Sequence, residues 1–126
     1  MAMAATQETS SLISAGKVQG TAVYNTAGES LGSIYDVMLD KKSGHVAYAI
    51  MSFGGFLGIG DKYHPLPWSL LKYDTGKGGY VVNLDRRQLE GAPTYAAGTD
   101  PGWGNRDYET RLHDYYGVGP YWGGLY

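Results

Sequence analysis

Apolar and polar residues alternate most regularly in the middle of the chain. Residues 33–40 and 45–53 are two runs rich in β-branched, aromatic and aliphatic side chains, separated by Lys41, Lys42, Ser43 and Gly44, with glycine where a positive φ is needed. The spacing predicts a β-hairpin. In the first run Ile34 stands three residues before Val37, whereas Val37 and Leu39 are two apart. A regular strand cannot turn all three to one side, so a bulge is expected near Tyr35 and Asp36. In the second run Val46, Tyr48 and Ile50 take one face and Ala47, Ala49 and Met51 the other. Both faces are largely apolar, the pattern of a strand covered on both sides. Something beyond the interior of one small sheet must shield it.

The second run ends in Gly54-Gly55-Phe56-Leu57-Gly58-Ile59-Gly60. Phe56, Leu57 and Ile59 form a candidate interaction loop: exposed, they make a binding patch, and folded back, they plug one end of a barrel. A further strand resumes at Tyr63, where Pro65 and Pro67 deny ladder hydrogen bonds at alternate positions and place it at an edge or a strand exit. Upstream, residues 18–25 read as a first strand with Val18 and Val23 in the core, followed by a turn at Asn25-Thr26-Ala27-Gly28. Downstream, Trp68-Ser69-Leu70-Leu71 suits a single helical turn. Residues 72–74 and 79–84 suit another hairpin, and Asp85 caps a short helix that stops at Gly91. Five or six short strands at such spacing predict a mainly β chain built as a small β-barrel.

The last third is patterned differently. Eight of the seventeen aromatic residues fall within 93–126: Tyr95, Trp103, Tyr108, Tyr115, Tyr116, Tyr121, Trp122 and Tyr126. Disordered tails lack such residues. Residues 105–116 read as a helix, with Asn105 as N-cap, Asp107 and Glu109 where the helix dipole favours acids, and Gly117 as the stop. Tyr108, Leu112, Tyr115 and Tyr116 stand at i, i+4, i+7 and i+8, one apolar stripe. Burying each such aromatic is worth roughly 2 kcal/mol, and the doubly apolar strand or the loop at Phe56 offers the surface. With Tyr121 and Trp122 these four are the candidate tail interface. The contact suits one chain or a dimer that exchanges terminal elements.

Composition narrows the function classes. A chain of 126 residues suits one domain with a single modest core, and 20 glycines suit tight turns between short strands. No apolar run approaches the roughly 20 residues that span a bilayer. No basic residue precedes Lys17 and no continuous apolar stretch opens the chain, so no secretory signal is expected. The absence of cysteine removes disulfides, thiolate catalysis and cysteine-metal sites together, and is compatible with the cytoplasm. A net charge of −2 offers no attraction for nucleic acid or an anionic membrane. Residues 1–92 carry eight basic and eight acidic groups, while 93–126 carry Arg106 and Arg111 against Asp100, Asp107, Glu109 and Asp114. That shift, with Pro93 and Pro101, predicts a flexible segment 1–16, a body 17–93 and an aromatic extension 94–126.

No catalytic constellation emerges. Asp61-Lys62 follows Gly60 where a Walker loop needs Lys and then Ser or Thr, and a dinucleotide fingerprint starting at Gly58 lacks its third glycine at Tyr63. No cofactor is expected. His45, His64 and His113 lack metal-ligand spacing, so no metal is expected either. His45 reads as a solvated turn residue, His113 as a helix-surface residue, and His64 as a half-buried strand residue beside Asp61. Asp61, Lys62 and His64 are the candidate polar site, suited to a small anion. Asp36 and Asp40 invite an acid–base reading, but aspartates beside turns and bulges more often satisfy backbone N–H groups. No serine lies in a nucleophile elbow. The chain is expected not to be an enzyme.

Gly20 with Val23, the Gly28 turn with Leu31-Gly32, Val37 with Asp40, the Gly44 turn, and Pro67-Trp68 with Leu71 resemble, in order and spacing, the PRC-barrel domain family. The ending Gln88-Leu89-Glu90-Gly91-Ala92-Pro93 suits it as well, so the resemblance covers residues 17–93. It implies the small barrel shared by the cytoplasmic domain of the photosynthetic reaction-centre H subunit and the C-terminal domain of a small-subunit ribosome maturation factor. It also implies a non-enzymatic interaction or assembly module, without supplying binding residues, because partners differ between members. The function expected is self-association, as a dimer, and binding of another protein through the glycine-rich loop and the aromatic tail. RNA processing or ribosome association is an alternative that the charge opposes. A small anionic ligand at Lys62 and His64 is another.

Overall fold

The computed structural model describes Thr9, residues 11–53 and residues 62–123. At its centre β2 (Ser30–Leu39) and β3 (Val46–Phe53) pair antiparallel from Gly32↔Phe53 to Leu39↔Val46, the hairpin expected. Asp40 builds the turn: its carboxylate accepts from the Lys42 N–H and the Ser43 hydroxyl, and Gly44 takes φ +77°. The Ser43 bond, then the Lys42 bond, hold the Asp40 carboxyl below the ordinary carboxylate range. Asp36 is likewise engaged with the backbone, accepting from the Val37 N–H. The expected bulge is present, since the register slips between Ile34 and Asp36. Ile34 and Val37 thereby both reach the core, while a second slip before Leu39 leaves that residue exposed.

β1 (Ala22–Asn25), β4 (Lys62–Pro67), β5 (Lys72–Asp74), β6 (Gly79–Val82) and β7 (Tyr95–Ala96) complete one sheet in the order β5–β6–β1–β2–β3–β4–β7. β1 and β6 are parallel, and the other neighbours antiparallel. In a flat sheet four spacings of about 4.8 Å would separate β4 from β6. Yet Trp68, immediately after β4, meets Tyr80 of β6 edge-to-face with ring centroids 5.3 Å apart. The sheet therefore curls around its inner face, where Val23, Leu31, Ile34, Met51, Leu66 and Val82 form the main core. The end strands β5 and β7 are not paired with each other, so the curl stays open.

The mainly β architecture has one strand more than expected. The addition is β7, two residues of the C-terminal extension that pair with Lys62 and Tyr63. Beyond Tyr63 the described partner of β4 is β3, so Pro65 and Pro67 break no ladder on the open side. The first strand starts later than expected, because Ala15–Val18 forms a helical turn, α1, capped by Ser14. Gly20, at φ +85°, redirects the chain before Ala22. Val18 and Val23 both enter the core.

Trp68–Leu70 forms the single turn, and α2 (Arg86–Glu90) opens with Asp85 and Gln88 in a capping box. α3 (Arg106–Tyr116) starts where Asn105 accepts from the Asp107 N–H at 2.9 Å and stops at Gly117, φ +70°. Asn105→Ala is expected to lower stability by about 1 kcal/mol, seen as a lower urea midpoint with an unchanged slope. An unmoved midpoint would mean that packing alone holds α3. Most of the expected flexible segment, together with Phe56, Leu57, Ile59 and Asp61, lies outside the described residues. No described helix is long and apolar enough to cross a membrane.

Candidate interaction surface

Alternation along β3 sends Ala49 and Met51 into the main core and Tyr48 and Ile50 to the opposite side. There α3 supplies the cover that the doubly apolar pattern requires. Tyr108 and Leu112 are buried with Tyr48 and Ile50, and Met38, Tyr63, Tyr95, Trp103, Tyr116 and Tyr121 pack around them. Ala47, assigned by alternation to the inner face, joins this outer cluster instead. The slip that pairs Leu39 with Val46 leaves Ala47 out of register, and strict alternation ends there.

A polar cluster sits inside this second layer. The Tyr48 hydroxyl donates to Glu109 Oε1 at 2.9 Å and lies 2.8 Å from His113 Nε2, and all three side chains are buried. A carboxylate only accepts, so the single hydroxyl proton goes to Glu109 and Nε2 supplies the proton of the second bond. His113 Nδ1 is then bare in the neutral ring, and it has no hydrogen-bond partner among the described residues. Burial first, and then the Glu109 charge, push the Tyr48 phenol far above its ordinary value. Burial pushes His113 below its own. Arg106 stands 4.0 Å from Glu109 and over the Trp122 ring at 4.0 Å.

His113 is thus no helix-surface residue: it is 5% exposed. The buried face of α3 runs between the Tyr108–Leu112 row and the Glu109–His113 row, one position round from the stripe read off the sequence. Tyr115 accordingly falls on the rim, 42% exposed, where its hydroxyl donates to the Gln88 carbonyl of α2. Tyr116 is half-buried and packs against both cores. Tyr121 meets Tyr48 edge-on at 5.7 Å, and Trp122 remains 38% exposed.

His64 is turned inward and fully buried rather than half-buried. Its Nε2–H donates to the Leu89 carbonyl at 3.0 Å, and its ring meets Phe53 edge-on at 5.0 Å. Burial lowers its pKa as well. Lys62 stays at the surface, so the two described members of the candidate polar site occupy different environments. His45 is exposed in its turn, as expected.

Beside β7 lies a run of rings. Tyr35 stacks on Tyr63 with centroids 4.3 Å apart, Tyr63 meets Tyr95 at 5.6 Å, and Tyr95 meets Trp103 at 6.3 Å. Burial, ahead of nearby Asp36, pushes the Tyr95 phenol up to about 12. The bulge turns Tyr35 out of the sheet, and it is 52% exposed. In sequence Tyr63 comes two positions after residues 54–61, the segment that carries Phe56, Leu57 and Ile59.

The sequence model of the PRC-barrel domain matches residues 11–89, more than half of the chain. The chain belongs to the PRC-barrel family. PRC-barrel domains are protein-interaction and assembly modules, generally without catalytic activity. No curated protein matches the chain in sequence. The PRC-barrel match ends at Leu89, inside α2, so β7 and α3, with Glu109 and His113, lie beyond it. This PRC barrel carries its own cover over the outer face of β3.

Proposed function

We propose that this PRC-barrel protein is a non-enzymatic assembly module of the cytoplasm that self-associates as a dimer and docks a further protein. The surface used is the glycine-rich segment 54–60, the exposed Tyr35 ring and the exposed end of the extension. One observation carries the reading: Tyr35, half exposed, stacks on Tyr63, which comes in sequence just after the segment bearing Phe56, Leu57 and Ile59. Of the six tail residues singled out in the sequence, Tyr108 and Leu112 are buried inside the chain and Tyr116 and Tyr121 are partly buried against it, which leaves Tyr115 and Trp122 for a partner. Exposed apolar surface on a small domain marks a contact site.

Light scattering across a concentration series tests the proposal. The unaltered chain is expected to give a dimer, and the triple variant Phe56→Ser, Leu57→Ser, Ile59→Ser a monomer with unchanged secondary structure. A monomer at every concentration for the unaltered chain contradicts self-association.

A further inference from the structure

We propose that the Tyr48–Glu109–His113 cluster is a proton-sensitive latch, which holds α3 against β3 while His113 is neutral and lets α3 lift when His113 takes up a proton. The latch does not depend on self-association.

The neutral ring suits its site. Nε2–H is used on the Tyr48 oxygen, the Tyr48 proton is used on Glu109, and bare Nδ1 requires no acceptor. A second proton must go on Nδ1, which is buried with no hydrogen-bond partner among the described residues. The imidazolium would therefore be a buried cation whose second donor meets only the Val118 and Gly119 backbone, which does not make up for the lost solvation. Its surroundings from each packed element are known. β3 offers the Tyr48 phenol, and α3 itself offers Glu109 and Asp114, with Arg106 near Glu109. The turn Tyr121–Gly123 offers Tyr121 and the Trp122 ring edge at 5.3 Å. Pro67, Trp68 and Ser69, which line a cleft with His113, add no titratable group. The carboxylates of Glu109 and Asp114 and the backbone of Val118 and Gly119 favour the charged ring, but burial outweighs them and the pKa is lowered.

A histidine whose folded pKa lies below its ordinary value of about 6.5 lends its full stability above that pH. That stability is lost as the pH falls through the folded value. The loss lands on one contact, because His113 belongs to α3 and its burial is created by β3 and the turn after α3. Lifting α3 returns the ring to water. The main core is built from residues 18–89 and keeps its own cluster when α3 leaves, with half-buried Tyr116 as the shared member.

Hydrogen exchange of the full chain at about pH 7.5 and about pH 5, corrected for intrinsic rates, tests the latch. The peptide covering 106–116 is expected to lose protection several-fold at the lower pH while 46–53 keeps its own. His113→Gln, neutral at both pH values, removes the difference. His64→Gln, which alters the tie to α2 and not to α3, leaves it in place. Equal protection of 106–116 at both pH values, parallel loss in 46–53, or a difference that persists in His113→Gln overturns the proposal. A proton NMR titration of His113 in the unaltered chain needs no variant to fold: a midpoint below the ordinary histidine value is expected, and one at or above it overturns the proposal.

Discussion

Gly32→Ala is expected to cost about 3 kcal/mol of stability or to prevent folding. A Cβ at this position would lie 2.0 Å from the Ser52 carbonyl oxygen and 3.2 Å from the Phe53 Cα. Both are backbone atoms that no rotamer change can move. Gly32 pairs with Val23 on one side and Phe53 on the other, so any shift that makes room disturbs both neighbours of β2. The requirement is close approach rather than a left-handed backbone, and it gives the Leu31-Gly32 pair of the family pattern a physical reason. Urea unfolding measures the effect. A midpoint like that of the unaltered chain would mean that β2 and β3 are not this close at Gly32.

Leu112→Ala is expected to cost about 3 kcal/mol, within the range for truncating a fully buried leucine. Leu112 has no exposed surface and sits in the outer cluster with Tyr48, Ile50 and Tyr108. α3 has only 11 residues, and an isolated helix of that length is marginal in water. Its hold on the sheet therefore depends on this contact, and the loss should be local. The variant should unfold in two steps, the extension first, with the outer face of β3 then open to an apolar dye. A single transition at the original midpoint would show that Leu112 is not packed there.

What the sequence disclosed was mostly local. The Gly44 turn, the bulge at Tyr35, the Asn105 cap and the Gly117 stop each depend on a few neighbouring residues, and each is found. The apolar pattern of β3 also announced that both faces are covered, because alternation is a property of the strand itself. It did not name the cover, since that contact joins residues about 60 apart in sequence (Tyr48 and Glu109 are separated by 61). His113 read as a helix-surface residue because it is polar, and Glu109 only as an acid that the helix dipole favours; neither was expected inside. They are buried because the Tyr48 hydroxyl, carried inside by its ring, needs partners there. The available signal was their i, i+4 spacing immediately beside Tyr108 and Leu112, which moves the centre of the buried face round by one position. α1 was missed for a similar reason: the Ser14 cap lies within a segment whose small residues also suit an irregular lead-in.

α3 covers β3 of its own chain, and isotope-filtered NOE spectroscopy tests that contact most directly. In an equimolar mixture of labelled and unlabelled protein, the Tyr48 ring should give contacts to the His113 and Trp103 rings, whose centroids lie 5.5 Å and 5.4 Å away, within the labelled chain alone. Contacts seen only between labelled and unlabelled chains, or no contacts at all, would contradict it.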